Sequence, residues 1–118
     1  MNCDVLIVGS GPAGIFTALE LIRLNSKKRI LIIEKGRPIE KRVCPKINTR
    51  KCMNCKPFCH ITTGFSGAGA FSDGKLSLSC EVGGDLPDLI GRQAVQELIN
   101  YTDSVYLEFG AVRTVEGL

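Results

Sequence analysis

Tryptophan is absent from this sequence, histidine occurs once, and only two tyrosines and five phenylalanines are present. Aromatics this sparse do not interleave with the basic residues, so a base-stacking surface is not expected and nucleic acid is not an expected partner. No apolar run is long enough to cross a bilayer, so no membrane partner is expected either. Apolar residues begin at Val5 without a charged leader or a small-residue cleavage site, and a cytoplasmic location is the expectation. Internal repeats and low-complexity tracts are lacking. Acidic residues are scarce in one stretch. Between Arg23 and Lys56 only Glu34 and Glu40 oppose twelve lysines and arginines. A solvated face is the plain reading of that stripe, and attraction for phosphate is the other. No group stands out as a general acid or base, so catalytic residues stay unassigned.

What is there fits a small globular domain. Of the 118 residues, 44% are hydrophobic and 23% charged, with a net charge of +3. Val5 to Val8 is a continuous apolar run ended by Gly9, the pattern of a strand buried on both faces. Pro12 suits a first helical turn, and Ile15, Ala18, Leu19 and Ile22 recur at helical spacing. A helix is therefore expected over residues 12–24, ended by Asn25 and Ser26. Ile30 to Ile33 reads as a second strand closed by Glu34. Strand, helix and strand make a βαβ unit over residues 4–34, in which the two strands lie parallel.

Farther on, prolines at 38, 45 and 57 argue for loop, with a helical turn near 38–43. A glycine-rich segment over 63–84 leads into an expected strand at 76–81. A helix is expected over 88–103, with Ile90, Ala94, Leu98 and Tyr101 on one face, and a last strand at 105–109. The fold class is thus α/β: an incomplete Rossmann-like βαβ unit, then a cysteine-rich loop, a glycine-rich segment and a helix.

The stretch "DVLIVGSGPAGIFTALEL" holds Gly9, Gly11 and Gly14 in the spacing of a dinucleotide cradle. Alone the spacing is a weak signal. Here it follows a strand, opens a helix and is followed by Glu34, twenty residues past Gly14. Gly9 allows the turn off the strand. Gly11 leaves room for a pyrophosphate against the backbone, and Gly14 lets helix and strand pack closely. The N–H groups around Ser10, Pro12, Ala13 and Gly14 lie at the positive end of the helix. Glu34 is placed to accept from a ribose 2′-hydroxyl and would repel a 2′-phosphate. FAD and NAD share these features. Lys35 adjoins Glu34, and Arg42 is a candidate neutraliser of the pyrophosphate.

"DVLIVGSGPAGIFTALEL", "LIIEKG", "GFSGAGAFSDGKLSLS" and "VGGDLPDLIG" together resemble the N-terminal part of bacterial FAD-dependent dehydrogenases of the uncharacterised NAD(FAD)-utilising type. The first stretch is shared by a large flavoprotein superfamily, whereas "GAGAFSDGKL" is more specific. The resemblance implies FAD on Gly9, Gly11, Gly14 and Glu34, with the second glycine-rich segment near the flavin. Gly64, Gly67, Ala68, Gly69 and Gly74 suit close approach to a flat ring, and Ser66, Ser72, Asp73 and Lys75 offer hydrogen bonds. Lys75 is a candidate for stabilising reduced flavin, against the plainer reading of a solvent-facing lysine.

The stretch "CPKINTRKCMNCKPFCH" gathers Cys44, Cys52, Cys55 and Cys59, with His60 adjoining, in a loop over 44–60. Three readings stand: a zinc or iron–sulfur site, a redox dithiol at Cys52 and Cys55, or unconnected thiols. The spacing is that of neither a bacterial ferredoxin run nor a zinc ribbon. The resemblance implies that this loop is dispensable for flavin binding, since only some members carry it. Cys3 and Cys80 read as ordinary small residues.

Only two strands are secure, and no segment supplies a wall for a flavin ring. The expectation is therefore a piece of a longer enzyme, completed by further chain or a partner subunit, with NAD(P)H as electron donor to an unnamed acceptor. The alternative is a non-catalytic dinucleotide- or metal-binding fragment.

Overall fold

The computed structural model describes residues 2–24 and 27–116. Two compact units divide it, Met1–Asp73 and Gly74–Leu118. The architecture is mixed α/β, with several helices and, among the described residues, one two-stranded parallel sheet.

In the first unit, β1 (Val5–Val8) leads to α1 (Pro12–Arg23) and then to β2 (Ile30–Ile33). The strands pair in parallel, with Val5 opposite Ile30 and Val8 opposite Ile33. Before β1, Asp4 accepts from the Arg29 main-chain N–H at 2.8 Å and from Nε at 3.1 Å. This contact fixes the register from the open end of the sheet. The Arg29 guanidinium holds the Asp4 carboxyl below its ordinary pKa. Asn25 and Ser26, the expected end of α1, lie outside the described residues.

Both strands form where expected, but β1 is not buried on both faces. Val5 and Ile7 are half-buried, whereas Leu6 is 52% and Val8 78% exposed. Leu6 and Val8 share the more exposed face of β1 among the described residues. The expected helical turn near 38–43 is a 3-10 turn at Ile39–Lys41, and a short helix, α2 (Lys46–Thr49), follows inside the cysteine-rich loop. Ala68–Phe71 forms a further 3-10 turn.

The second unit corrects four expectations. Residues 76–81 form no strand; Leu76 and Leu78 alternate correctly, but among the described residues no strand pairs with them. The helix expected over 88–103 is two helices, α3 (Leu86–Ile90) and α4 (Arg92–Glu108). Gly91 separates them at φ +87°, a conformation that suits glycine and breaks the helical run. The strand expected at 105–109 is instead the last turn of α4 and its cap at Phe109. The expected apolar face also differs. Val95 and Val105 are buried, whereas Leu98 is half exposed. Arg92 pairs with Glu81, and Gln96 Nε2 donates to the Leu78 carbonyl at 3.1 Å, tying the irregular segment to α4.

Candidate functional site

The turn between β1 and α1 brings together most of the residues read as a cradle. Gly9 turns off the strand at φ +99°, and its N–H donates to the Ile33 carbonyl at 2.7 Å. Gly11 caps α1 in extended backbone, and no side chain caps the helix. The first turn holds no acidic residue. Pro12 has no N–H, so Ala13 and Gly14 carry the first-turn N–H groups that lack an intrahelical partner. The helix end is thus electropositive and uncompensated by its own side chains.

The three glycines have different surroundings. A β-carbon on Gly14 would stand 2.1 Å from the Gly9 carbonyl oxygen and 3.2 Å from Ile7 Cγ2. Close packing of helix on strand requires glycine there. A β-carbon on Gly11 would meet nothing within 4 Å. The absent side chain at Gly11 leaves space that this chain does not fill.

Glu34 reaches back from the end of β2 to the same turn. Its Oε2 accepts from the Ser10 N–H at 2.9 Å and the Ser10 hydroxyl at 3.1 Å. Its Oε1 accepts from the Gly36 N–H at 2.8 Å. These three donors leave about one further acceptor position on the carboxylate. The N–H groups of Ser10 and Gly36 hold its pKa below the ordinary value. Val8, Gly9, Ile33, Glu34 and Lys35 line a cavity of about 430 Å³ at the carboxyl ends of the strands. Ligands of open α/β sheets bind at such ends.

A depressed carboxylate pKa makes the turn sensitive to acid. Unfolded Glu34 takes up its proton more readily than folded Glu34, so its contribution is complete above the unfolded pKa. It is lost as pH falls through the lower folded value. The expected outcome is a melting temperature that drops as pH falls below about 4, with a smaller drop in Glu34→Gln. Circular dichroism melts of both proteins across that range check it, and equal drops would remove Glu34 from the account.

The second glycine-rich segment packs on the first. The Ser66 N–H donates to the Ser10 carbonyl at 2.9 Å, and Ser10 is 1% exposed. A β-carbon on Gly67 would stand 3.3 Å from Gly11 Cα. Gly36 and Gly64 also meet directly; a β-carbon on Gly36 would lie 2.3 Å from Gly64 Cα. An isolated parallel bridge joins Arg37 to Gly64. The turn at Ala68–Phe71, which holds Gly69, follows at once. Gly74 and Lys75 fall in the second unit.

Arg42 has a task that its surface-like sequence setting concealed. It is 3% exposed. Nε donates to the His60 carbonyl at 3.1 Å, one terminal nitrogen to the Phe65 carbonyl at 2.6 Å, and the other to the Ile61 carbonyl. The guanidinium lies 4.8 Å from the centroid of the Phe71 ring. The donors expected beside a pyrophosphate are engaged with main-chain carbonyls of residues 60–65. Nothing local in the sequence signals this, because the acceptors lie about twenty residues away.

The cysteine-rich loop encloses a second cavity, of about 260 Å³, whose lining includes Cys44, Cys52, Cys55, Cys59 and His60. All four thiols are free; Cys44 and Cys55 are half-buried, and Cys52 and Cys59 exposed. N–H groups of Thr62 and Ile61 lower the Cys59 pKa. His60 Nδ1 lies 3.2 Å from the Val43 carbonyl oxygen. Among the described residues, no group of three or more His, Cys, Asp or Glu side chains could hold a metal ion as it stands. Nor is any helix among them long and apolar enough to cross a membrane.

No protein-family model matches the chain, and no solved structure matches it. A protein of Clostridium beijerinckii (strain ATCC 51743 / NCIMB 8052), described as uncharacterized, is 40% identical over 72 residues, which is 61% of this chain. The match covers 13% of that protein's length.

Proposed function

We propose that this chain holds the adenosine diphosphate half of FAD at the turn between β1 and α1. In this reading it is the N-terminal, Rossmann-like FAD-binding portion of a flavin-dependent oxidoreductase. The joint placement of three features carries it: an uncapped helix N-terminus, open space at Gly11, and the Glu34 carboxylate drawn to the same turn. The N–H groups of Ala13 and Gly14 would meet the diphosphate. The remaining acceptor position on Glu34 would meet a ribose hydroxyl, and its charge would exclude a 2′-phosphate. Gly67 borders the cradle from the second glycine-rich segment, and Ala68 and Gly69 follow it in the chain. Bound flavin would supply hydride or electron transfer, with electrons from NAD(P)H passing to an acceptor of unassigned identity. The exposed apolar side chains of Leu6 and Val8 suit cover by the rest of a longer protein or by a partner subunit. A cytoplasmic setting, where thiols stay reduced, goes with this chemistry.

Gly11→Val tests the reading at little cost to the fold. Gly11 has φ −72°, which any residue adopts, and its β-carbon position is open. The expected outcome is a melting temperature lowered only by the loss of a good N-cap residue, about 1 kcal/mol, with FAD affinity reduced by about a hundredfold or more, equivalent to about 3 kcal/mol. Flavin fluorescence quenching on titration reads the affinity. Wild-type affinity in the valine variant would place the ligand elsewhere.

A further inference from the structure

The cysteine-rich loop plays no part in the dinucleotide reading, yet four of the six cysteines line one cavity within it. We propose that Cys44, Cys52, Cys55 and Cys59 are the four thiolate ligands of a single zinc ion, and that binding draws them into a tetrahedron. This inference does not rest on flavin binding.

Four arguments carry it. The four cysteines come from both ends and the middle of the loop but line one cavity of about 260 Å³. Residues 51–59 form no helix or strand, so gathering the sulfurs to zinc–sulfur distances of about 2.3 Å breaks no regular hydrogen bonding. The ends of the loop are already anchored. Arg42 holds the carbonyls of His60 and Ile61, and the His60 ring lies against the Val43 carbonyl, next to Cys44. The cavity mouth is therefore fixed while its interior can close, and metal binding would supply local folding energy. Charge also fits. Four thiolates on Zn²⁺ leave two negative charges, and the loop carries Lys46, Arg50, Lys51 and Lys56 with no Asp or Glu between Glu40 and Asp73. No hard carboxylate competes within the loop, so the donor set selects a soft ion. A mononuclear ion is favoured over an iron–sulfur cluster because Cys52 and Cys59 are exposed residues.

The test uses the reduced 118-residue chain with Co²⁺ as a spectroscopic probe, followed by Zn²⁺. About one equivalent of Co²⁺ is expected to give intense tetrahedral thiolate bands, which Zn²⁺ then bleaches. Cys55→Ser should abolish them, whereas Cys3→Ser and Cys80→Ser should keep them. A second measurement needs no variant. Without metal, N-ethylmaleimide should modify the four loop thiols. With Zn²⁺, mass mapping should find those four protected and Cys3 and Cys80 unchanged in reactivity. Absence of cobalt bands overturns the proposal. So does a Cys52–Cys55 disulfide that forms equally with and without Zn²⁺, or a brown iron–sulfide chromophore that zinc cannot displace.

Discussion

Gly14→Ala is expected to destabilise the first unit by about 3 kcal/mol or more, although helix propensity alone favours alanine there by about 1 kcal/mol. The two effects have opposite signs, and geometry decides between them. The new β-carbon would sit 2.1 Å from the Gly9 carbonyl oxygen. That oxygen shares its peptide plane with the Ser10 N–H, which is bonded to Glu34 Oε2, so it cannot swing aside as a flexible side chain could. Helix α1 must lift from β1, which opens contacts at Ile7 and widens the turn. Small units have only a few kcal/mol to lose, so much of the unit should unfold. Its range, Met1–Asp73, contains neither tryptophan nor tyrosine. Far-ultraviolet circular dichroism and amide exchange along α1 are therefore the suitable readouts. A variant as stable as the wild type, or more stable, would mean that helix and strand are farther apart than described.

Arg42→Leu should cost about 3 kcal/mol or more and release residues 60–65 from protection against amide exchange. The substitution strands the carbonyls of His60, Ile61 and Phe65, which its three nitrogens now satisfy. Each buried acceptor left without a donor costs about 1–3 kcal/mol, and water entering the gap recovers part of this. Contact with the Phe71 ring is lost as well. Arg42→Lys should recover only a fraction, since one ammonium cannot reproduce the spread of the guanidinium fork. The damage would extend to the cradle, because Gly64 lies against the Arg42 side chain and leads into Ser66 and Gly67, which pack on Ser10 and Gly11. Melting and exchange measurements on the leucine and lysine variants check the order wild type, lysine, leucine. If leucine equals wild type, the segment is held by something other than Arg42.

These two residues also mark what the sequence made legible. Gly14 was readable because its constraint is local: the strand, the turn and the helix that press on it lie within eighteen residues of one another. The same holds for β1, α1 and β2, where apolar runs and helical spacing agree. Arg42 was not readable, since its acceptors come from a separate loop, and a basic residue among other basic residues carries no mark of burial. Residues 105–109 misled for another reason. Val105, Tyr106 and Phe109 favour strands by propensity, but a helix already under way and a buried site for Val105 outweigh that preference. Leu76 and Leu78 show the reverse case, an alternating pattern with which no strand pairs among the described residues. At the candidate site, Gly9, Gly11 and Gly14 form the turn between β1 and α1, and the Glu34 carboxylate bonds Ser10 in that turn. The contact between Gly36 and Gly64 was invisible, because close backbone approach leaves no pattern beyond the glycines themselves.

The most direct measurement is an amide-resolved NMR titration of the chain with ADP, which carries the adenosine and diphosphate without the flavin. The account predicts the largest shifts at the N–H groups of Gly11, Ala13 and Gly14, with smaller ones at Lys35 and Gly67, and none of these in Gly11→Val. Saturable shifts confined to other residues, with Ala13 and Gly14 unmoved, would contradict it.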